Sequence, residues 1–211
     1  MALPAPPEPE RLDPLVSEWA AGRLLVRVHR HESAPTSFNP GGGRGRFHPF
    51  AARSGSVVPT LYAADSVDGA LSETAFRAVP VHGTVRSFPA SRLEPLRLSV
   101  LVPNRDLRLA ALYGHGLRRL GLLRRDVIDT EAAHYGETAA WAAALHAAPS
   151  ALDGLEWVSR QHDASRAVVL FGDRVTAGDL TLREGPIPLD RGPGWDLVLE
   201  AAEAAGIVIV I

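Results

Sequence analysis

A chain of 211 residues, 46% apolar and 22% charged with a formal net charge of -2, is long enough for one well-filled core, or at most two small ones. That balance excludes a global electrostatic pull toward nucleic acid or a membrane surface. The absence of cysteine excludes disulfides, thiolate metal sites and a cysteine nucleophile, and fits a cytoplasmic protein.

The first ten residues, MALPAPPEPE, are proline-rich and acidic and read as a flexible, extended lead; they lack the basic and apolar regions of a signal peptide. No apolar run approaches the roughly 18–20 residues of a membrane span. Residues 12–20 predict a short helix packing Leu15, Val16 and Trp19, which closes an N-terminal lead of residues 1–21 ahead of the main domain, 22–211. Residues 23–29 alternate as a strand, residues 32–56 read as a long loop with three consecutive glycines, and residues 57–63 form a second strand. Asp65 or Ser66 is placed to cap a helix running to about Arg77. LRLSVLV and LRLAAL predict strands around a PNRD turn, and a short helix is expected over 115–123. A clear helix runs from a Thr130 cap through His146. Strands follow at 155–159 and 166–172 and in DLTLRE, then a helix in DLVLEAAEAA and a final buried strand, GIVIVI. Unevenly spaced strands with few intervening helices predict an α+β domain of mixed or antiparallel sheet with flanking helices, not a doubly wound sheet.

Several residues are candidates for chemistry. All 22 basic residues are arginine, a bias that suits forked recognition of phosphate but follows more simply from a GC-rich coding sequence, since alanine, glycine and proline are also abundant. The glycines of NPGGGRGRFHP let backbone N–H groups approach phosphates, yet the run matches neither dinucleotide nor P-loop spacing and on its own reads first as a solvent-exposed turn. Arg27 lies in an apolar strand, either outward or buried against an anion. Glu73 is a solvated helix residue or a carboxylate with a task. Ser159 has no nucleophile-elbow context, and a strand-end hydroxyl capping the RQHD turn explains it as well. His29, His31, His48 and His82 show no metal-ligand spacing, so no metal is expected.

Taken in order, these segments resemble the RES domain family: the strand arginine in RVHR, a glycine-rich loop ending in GRF before TLYAA and ALSE, and a late GLEWVSRQHD before an apolar strand. The resemblance implies a fold similar to ADP-ribosyltransferase toxins and an activity on NAD+. It carries Arg27, Glu73 and Ser159 over as core residues, Arg46 as the loop arginine and Tyr62 as the aromatic of the following strand. Phe47 replaces a common tryptophan, His48 occupies an asparagine position, and Trp157 stands where tyrosine is frequent.

The implied reaction is cleavage of the nicotinamide–ribose bond, with phosphate or water as acceptor, in a toxin neutralised by a cognate antitoxin. Cleavage builds positive charge on the ribose, which a carboxylate stabilises; Glu73 is the candidate. The pyrophosphate suits Arg27 and Arg46. Ser159 would hydrogen-bond substrate without acting as a nucleophile, and Tyr62 would stack on nicotinamide. Phosphate as co-substrate requires a second anion site, for which Arg46 or Arg160 is available. Two other readings compete: a mono-ADP-ribosyltransferase acting on a protein, favoured by an open groove, and a non-catalytic nucleotide- or partner-binding module. A homodimer is compatible with the sequence.

Overall fold

The computed structural model describes residues 3–43, 45–80 and 85–211, so Arg44 and His82 lie outside the described residues. Among the described residues, ten strands and five α-helices alternate irregularly. The strands are β1 (Val16–Trp19), β2 (Leu25–Arg30), β3 (Thr60–Ala64), β4 (Ser87–Pro89), β5 (Leu96–Pro103), β6 (Leu107–Ala111), β7 (Gly154–Val158), β8 (Arg166–Phe171), β9 (Leu180–Pro188) and β10 (Val208–Val210). The helices are α1 (Val67–Glu73), α2 (Gly114–Arg119), α3 (Arg124–Val127), α4 (Tyr135–Ala147) and α5 (Gly192–Ala204). Eight strands form one sheet in the order β1-β6-β7-β8-β3-β2-β5-β9, antiparallel except for β6 and β7; β4 and β10 form a small parallel pair. This is the expected α+β class.

Three apolar clusters stabilise the sheet. One packs α4 (Trp141, Leu145) against Leu155, Trp157, Val169 and Phe171 of β7 and β8. A second packs α1 and α5 (Leu71, Val198) against Val26, Val28, Leu98 and Val100 of β2 and β5. The third fills the other face with Trp19, Leu25, Leu61, Leu107 and Leu170. Alternation explains the division: Val168 and Leu170 face one way and Val169 and Phe171 the other.

Several elements differ from expectation. Residues 16–19 form a strand, not a helix: Val16 pairs with Ala110 and Trp19 with Leu107, and ladder hydrogen bonds at a sheet edge outweigh the weak helical spacing. The lead is not free, because Leu3 is buried and the indole N–H of Trp141 donates to the Pro4 carbonyl at 2.8 Å. The strands flanking PNRD do not pair; β5 joins β2 and β9, and β6 joins β1 and β7. Helix α4 starts at Tyr135 after a 3-10 turn at Ala132–His134, so Thr130 does not cap it. The last strand is not buried, with Val208 and Val210 about half exposed on the outer side of β4; only Ile207 beside it is buried.

Candidate active site

Strands β2 and β3 meet at a single register pair, Val26 opposite Ala64, and then part. The fork they leave is a cleft of about 210 Å³ lined by Val26, Val28, Tyr62, Glu73, Arg77 and Trp157, among others. It lies where the α4 core and the α1 core meet on one face of the sheet.

Helix α1 brings Glu73 to this cleft. The Ser66 hydroxyl accepts from the Gly69 N–H at 3.0 Å, and Ala70 and Leu71 bury the inner side. Gly69 allows that seating, since a Cβ there would stand 1.9 Å from the Ser165 hydroxyl. The helix ends at Glu73 rather than Arg77: Thr74 bonds back to the Ala70 carbonyl, and a 3-10 turn at Phe76–Ala78 carries Arg77 onward. One Glu73 oxygen accepts from the Arg160 backbone N–H at 3.1 Å, and the other lies 3.6 Å from the Arg46 guanidinium.

Arg46 is 4% exposed, and its backbone carbonyl accepts from the Thr138 hydroxyl on α4. Its guanidinium lies 5.7 Å above the Tyr135 ring; that of Arg77 lies 5.0 Å from the same ring and donates to its hydroxyl at 2.6 Å. Two cations thus flank one tyrosine, and one of them faces a carboxylate.

The aromatic wall is built from the loop and two strands. Trp157 meets Phe47 at 5.2 Å and Tyr62 at 6.1 Å between ring centroids, both edge-on. The Tyr62 hydroxyl accepts from the Phe47 N–H at 3.1 Å, and burial pushes that phenol far above its usual range. His48 stands 3.3 Å from the same hydroxyl, and burial holds its imidazole below the ordinary histidine value, with the Arg77 charge adding to the effect. A Cβ on Gly45 would sit 2.5 Å from the His48 ring, so a side chain there would push His48 aside.

The glycine run itself folds upon Asn39, whose side-chain oxygen accepts from Gly41 and Gly42 at 3.0 and 2.9 Å. Those amides are consumed within the turn, so the loop contributes Gly45 and His48 to the cleft lining, with Arg46 behind them against Glu73.

The remaining expected residues are placed differently. Arg27 lies between two cleft-lining valines but, by strand alternation, points to the opposite face with Leu25 and His29. There its guanidinium donates to the carbonyls of Pro35 and Ser37 at 2.5 and 2.7 Å, and burial lowers its pKa to about 10. Ser159 is fully buried; its hydroxyl accepts weakly from the Gln161 N–H at 3.4 Å, and Ser159 does not line the cleft. Its neighbour Arg160 touches Glu73 through the backbone, while the Arg160 side chain extends to the Thr130 carbonyl. The structure therefore joins Glu73, Arg46, Tyr62 and His48 in one place, adds the Arg160 amide, and sets Arg27 and Ser159 behind the walls. Arg77 and Tyr135 were not singled out from the sequence. Arg77 had a legible signal, four residues after Glu73 on one helical face; Tyr135 had none, because its position depends on where α4 docks.

A model of the RES domain matches residues 24–191. The crystal structure of the M. tuberculosis MbcT–MbcA toxin–antitoxin complex contains a chain that superposes with a TM-score of 0.55 at 22% identity, covering 80% of this chain and 84% of that one. A comparison with curated proteins finds no match. The family match starts just before β2 and ends just before α5, so it takes in every wall of the cleft, and the chain belongs to the RES domain family.

Proposed function

We propose that this protein cleaves the nicotinamide–ribose bond of NAD+ and passes the ADP-ribosyl group to inorganic phosphate or water, acting as a toxin held in check by an antitoxin. The observation that carries the reading is Glu73: a single carboxylate in an aromatic-walled fork, held by the Arg160 amide and the Arg46 guanidinium. A carboxylate so fixed faces the positive charge that grows on the ribose as the bond lengthens, and its orientation costs nothing at the moment of reaction. Nicotinamide leaves as a neutral base, so no strong acid is required. In this reading Trp157 and Tyr62 receive the nicotinamide ring. Arg46 holds Glu73 in place, and Arg27 acts from behind the wall by seating the loop that carries Arg46 and His48. Ser159 acts at one remove, by shaping the turn that presents the Arg160 amide to Glu73.

A cleft of about 210 Å³ suits a small acceptor better than a protein side chain. Membership of the RES family and the likeness to a chain of a toxin–antitoxin complex support the toxin role. Purified protein incubated with NAD+, with and without phosphate, tests the reading by chromatography of nicotinamide. Release that Glu73→Gln and Arg46→Ala both reduce by about a hundredfold or more is expected, the scale of losing one preorganised charge from such a site. A folded wild-type protein that releases none under either condition overturns it.

A further inference from the structure

We propose that Arg77 is the seat of the attacking phosphate and so decides whether phosphate or water takes the ribosyl carbon. The proposal rests on the NAD+-cleavage reading above and names the acceptor site within it. Three observations carry it. First, Arg77 lines the cleft with Glu73, and the chain brings it there by placing it four residues on, in the 3-10 turn after α1. Second, among the described residues no carboxylate lies within ion-pair distance of Arg77; its hydrogen-bond partner is the neutral hydroxyl of Tyr135 at 2.6 Å. Glu73, the carboxylate one turn away, already has its two oxygens on the Arg160 amide and Arg46. Third, the other arginines considered for an acceptor are committed elsewhere: Arg46 to Glu73, and Arg160 to the Thr130 carbonyl.

Among the described residues the cleft is thereby left with one surplus positive charge, on an exposed arginine whose side chain has one hydrogen-bond partner, beside the carboxylate at which ribose charge develops. That field reaches inward: the Arg77 charge pushes the His48 imidazole further below its ordinary value and offsets part of the upward push that burial gives the Tyr62 phenol. A phosphate dianion answers both the charge and the fork geometry, and the hydrogen bond to the Tyr135 hydroxyl together with the nearby ring holds the guanidinium in place. The step balances without an added acid or base. An oxygen of hydrogen phosphate forms a bond to C1′ of the ribose as the C1′–N bond breaks. The electron pair leaves with nicotinamide, which becomes neutral, and the phosphate keeps its proton in the resulting ribosyl 1-phosphate.

The test measures KM for phosphate and for NAD+ separately, and the ratio of ADP-ribose phosphate to ADP-ribose, for wild type, Arg77→Ala and Arg77→Lys. Loss of a charge-assisted hydrogen bond raises the phosphate KM about tenfold or more in Arg77→Ala and shifts products toward ADP-ribose. The NAD+ KM should move by about threefold or less, and Arg77→Lys should recover part of the phosphate affinity through charge alone. An NAD+ KM that rises as much as the phosphate KM would assign Arg77 to the pyrophosphate and overturn the proposal. An unchanged product ratio in Arg77→Ala would overturn it too. Both results leave wild-type nicotinamide release intact, whereas a wild type that releases none removes the function on which the proposal stands.

Discussion

Replacing Glu73 by glutamine isolates the charge at the centre of the cleft, because the amide oxygen can still accept from the Arg160 N–H. What is lost is the attraction to Arg46 at 3.6 Å, in a pair whose side chains are 5% and 15% exposed. At an effective dielectric of about 20, two unit charges at that distance attract by about 4–5 kcal/mol before desolvation is counted. Relieving the carboxylate of its own desolvation returns part of this, leaving an expected loss of about 1–3 kcal/mol. For a chain of this length, about 2 kcal/mol lowers the melting midpoint by about 4–8 °C. Urea denaturation and thermal melts of Glu73→Gln, Arg46→Met and the double variant form a cycle. The double variant should lose less than the sum of the single losses by about 1 kcal/mol or more, because Glu73→Gln alone strands a buried guanidinium whose Nε already lacks a partner. Additive effects to within about 0.5 kcal/mol, or a Glu73→Gln protein more stable than wild type, would refute the reasoning.

Burial holds the imidazoles of His29, His48 and His146 below the ordinary histidine value, so these rings fold in the neutral form. The unfolded chain takes up protons near pH ~6.5, so this part of the stability is complete above that pH and erodes as the pH falls toward the lower folded-state values. Urea midpoints should therefore drop between about pH 7.5 and 5.5, above the carboxylate range; a flat or rising midpoint contradicts this. Gly154→Ala should destabilise by about 1–3 kcal/mol or prevent folding, since a Cβ there would stand 2.1 Å from the Val169 carbonyl in the adjoining strand. A denaturation midpoint equal to wild type would show that β7 and β8 can move apart freely. Removing residues 1–5 exposes the Leu3 site and the Trp141 indole, at a cost of about 1.5–3 kcal/mol. An unchanged melt would mean that this segment contributes nothing to α4.

The sequence carried the fold class because strand and helix signals are local: RAVVLF alternates against a core, and Ser66 caps where a hydroxyl before an apolar run should. It carried Glu73, Arg46, Tyr62 and His48 through the order of motifs. It misread residues 16–19 because a four-residue strand owes its existence to β6, which lies far along the chain. The seats of Arg27 and Ser159 were illegible for a related reason. A strand shows its alternation but not which face the cleft will take, and that is decided by the parting of β2 from β3 after one pair. The surplus charge on Arg77 needed the partners of Glu73 to be known first.

The strand order has a kinetic consequence. Of the neighbours in the large sheet, β7 and β8 are joined by a short loop; β1 waits for β6, β3 for β8, and β2 and β5 meet across the whole of the cleft-forming region. Closing a loop of about 100 residues costs about 4 kcal/mol of chain entropy before the first contact repays it. Such a chain is expected to refold over milliseconds to seconds, with β7–β8 as the one hairpin able to form early. Until β8 is made, β3 has no ladder on that side and its apolar face is open to other chains. The cleft is accordingly among the last parts of the molecule to exist, since its two walls meet only after distant halves of the chain have been joined.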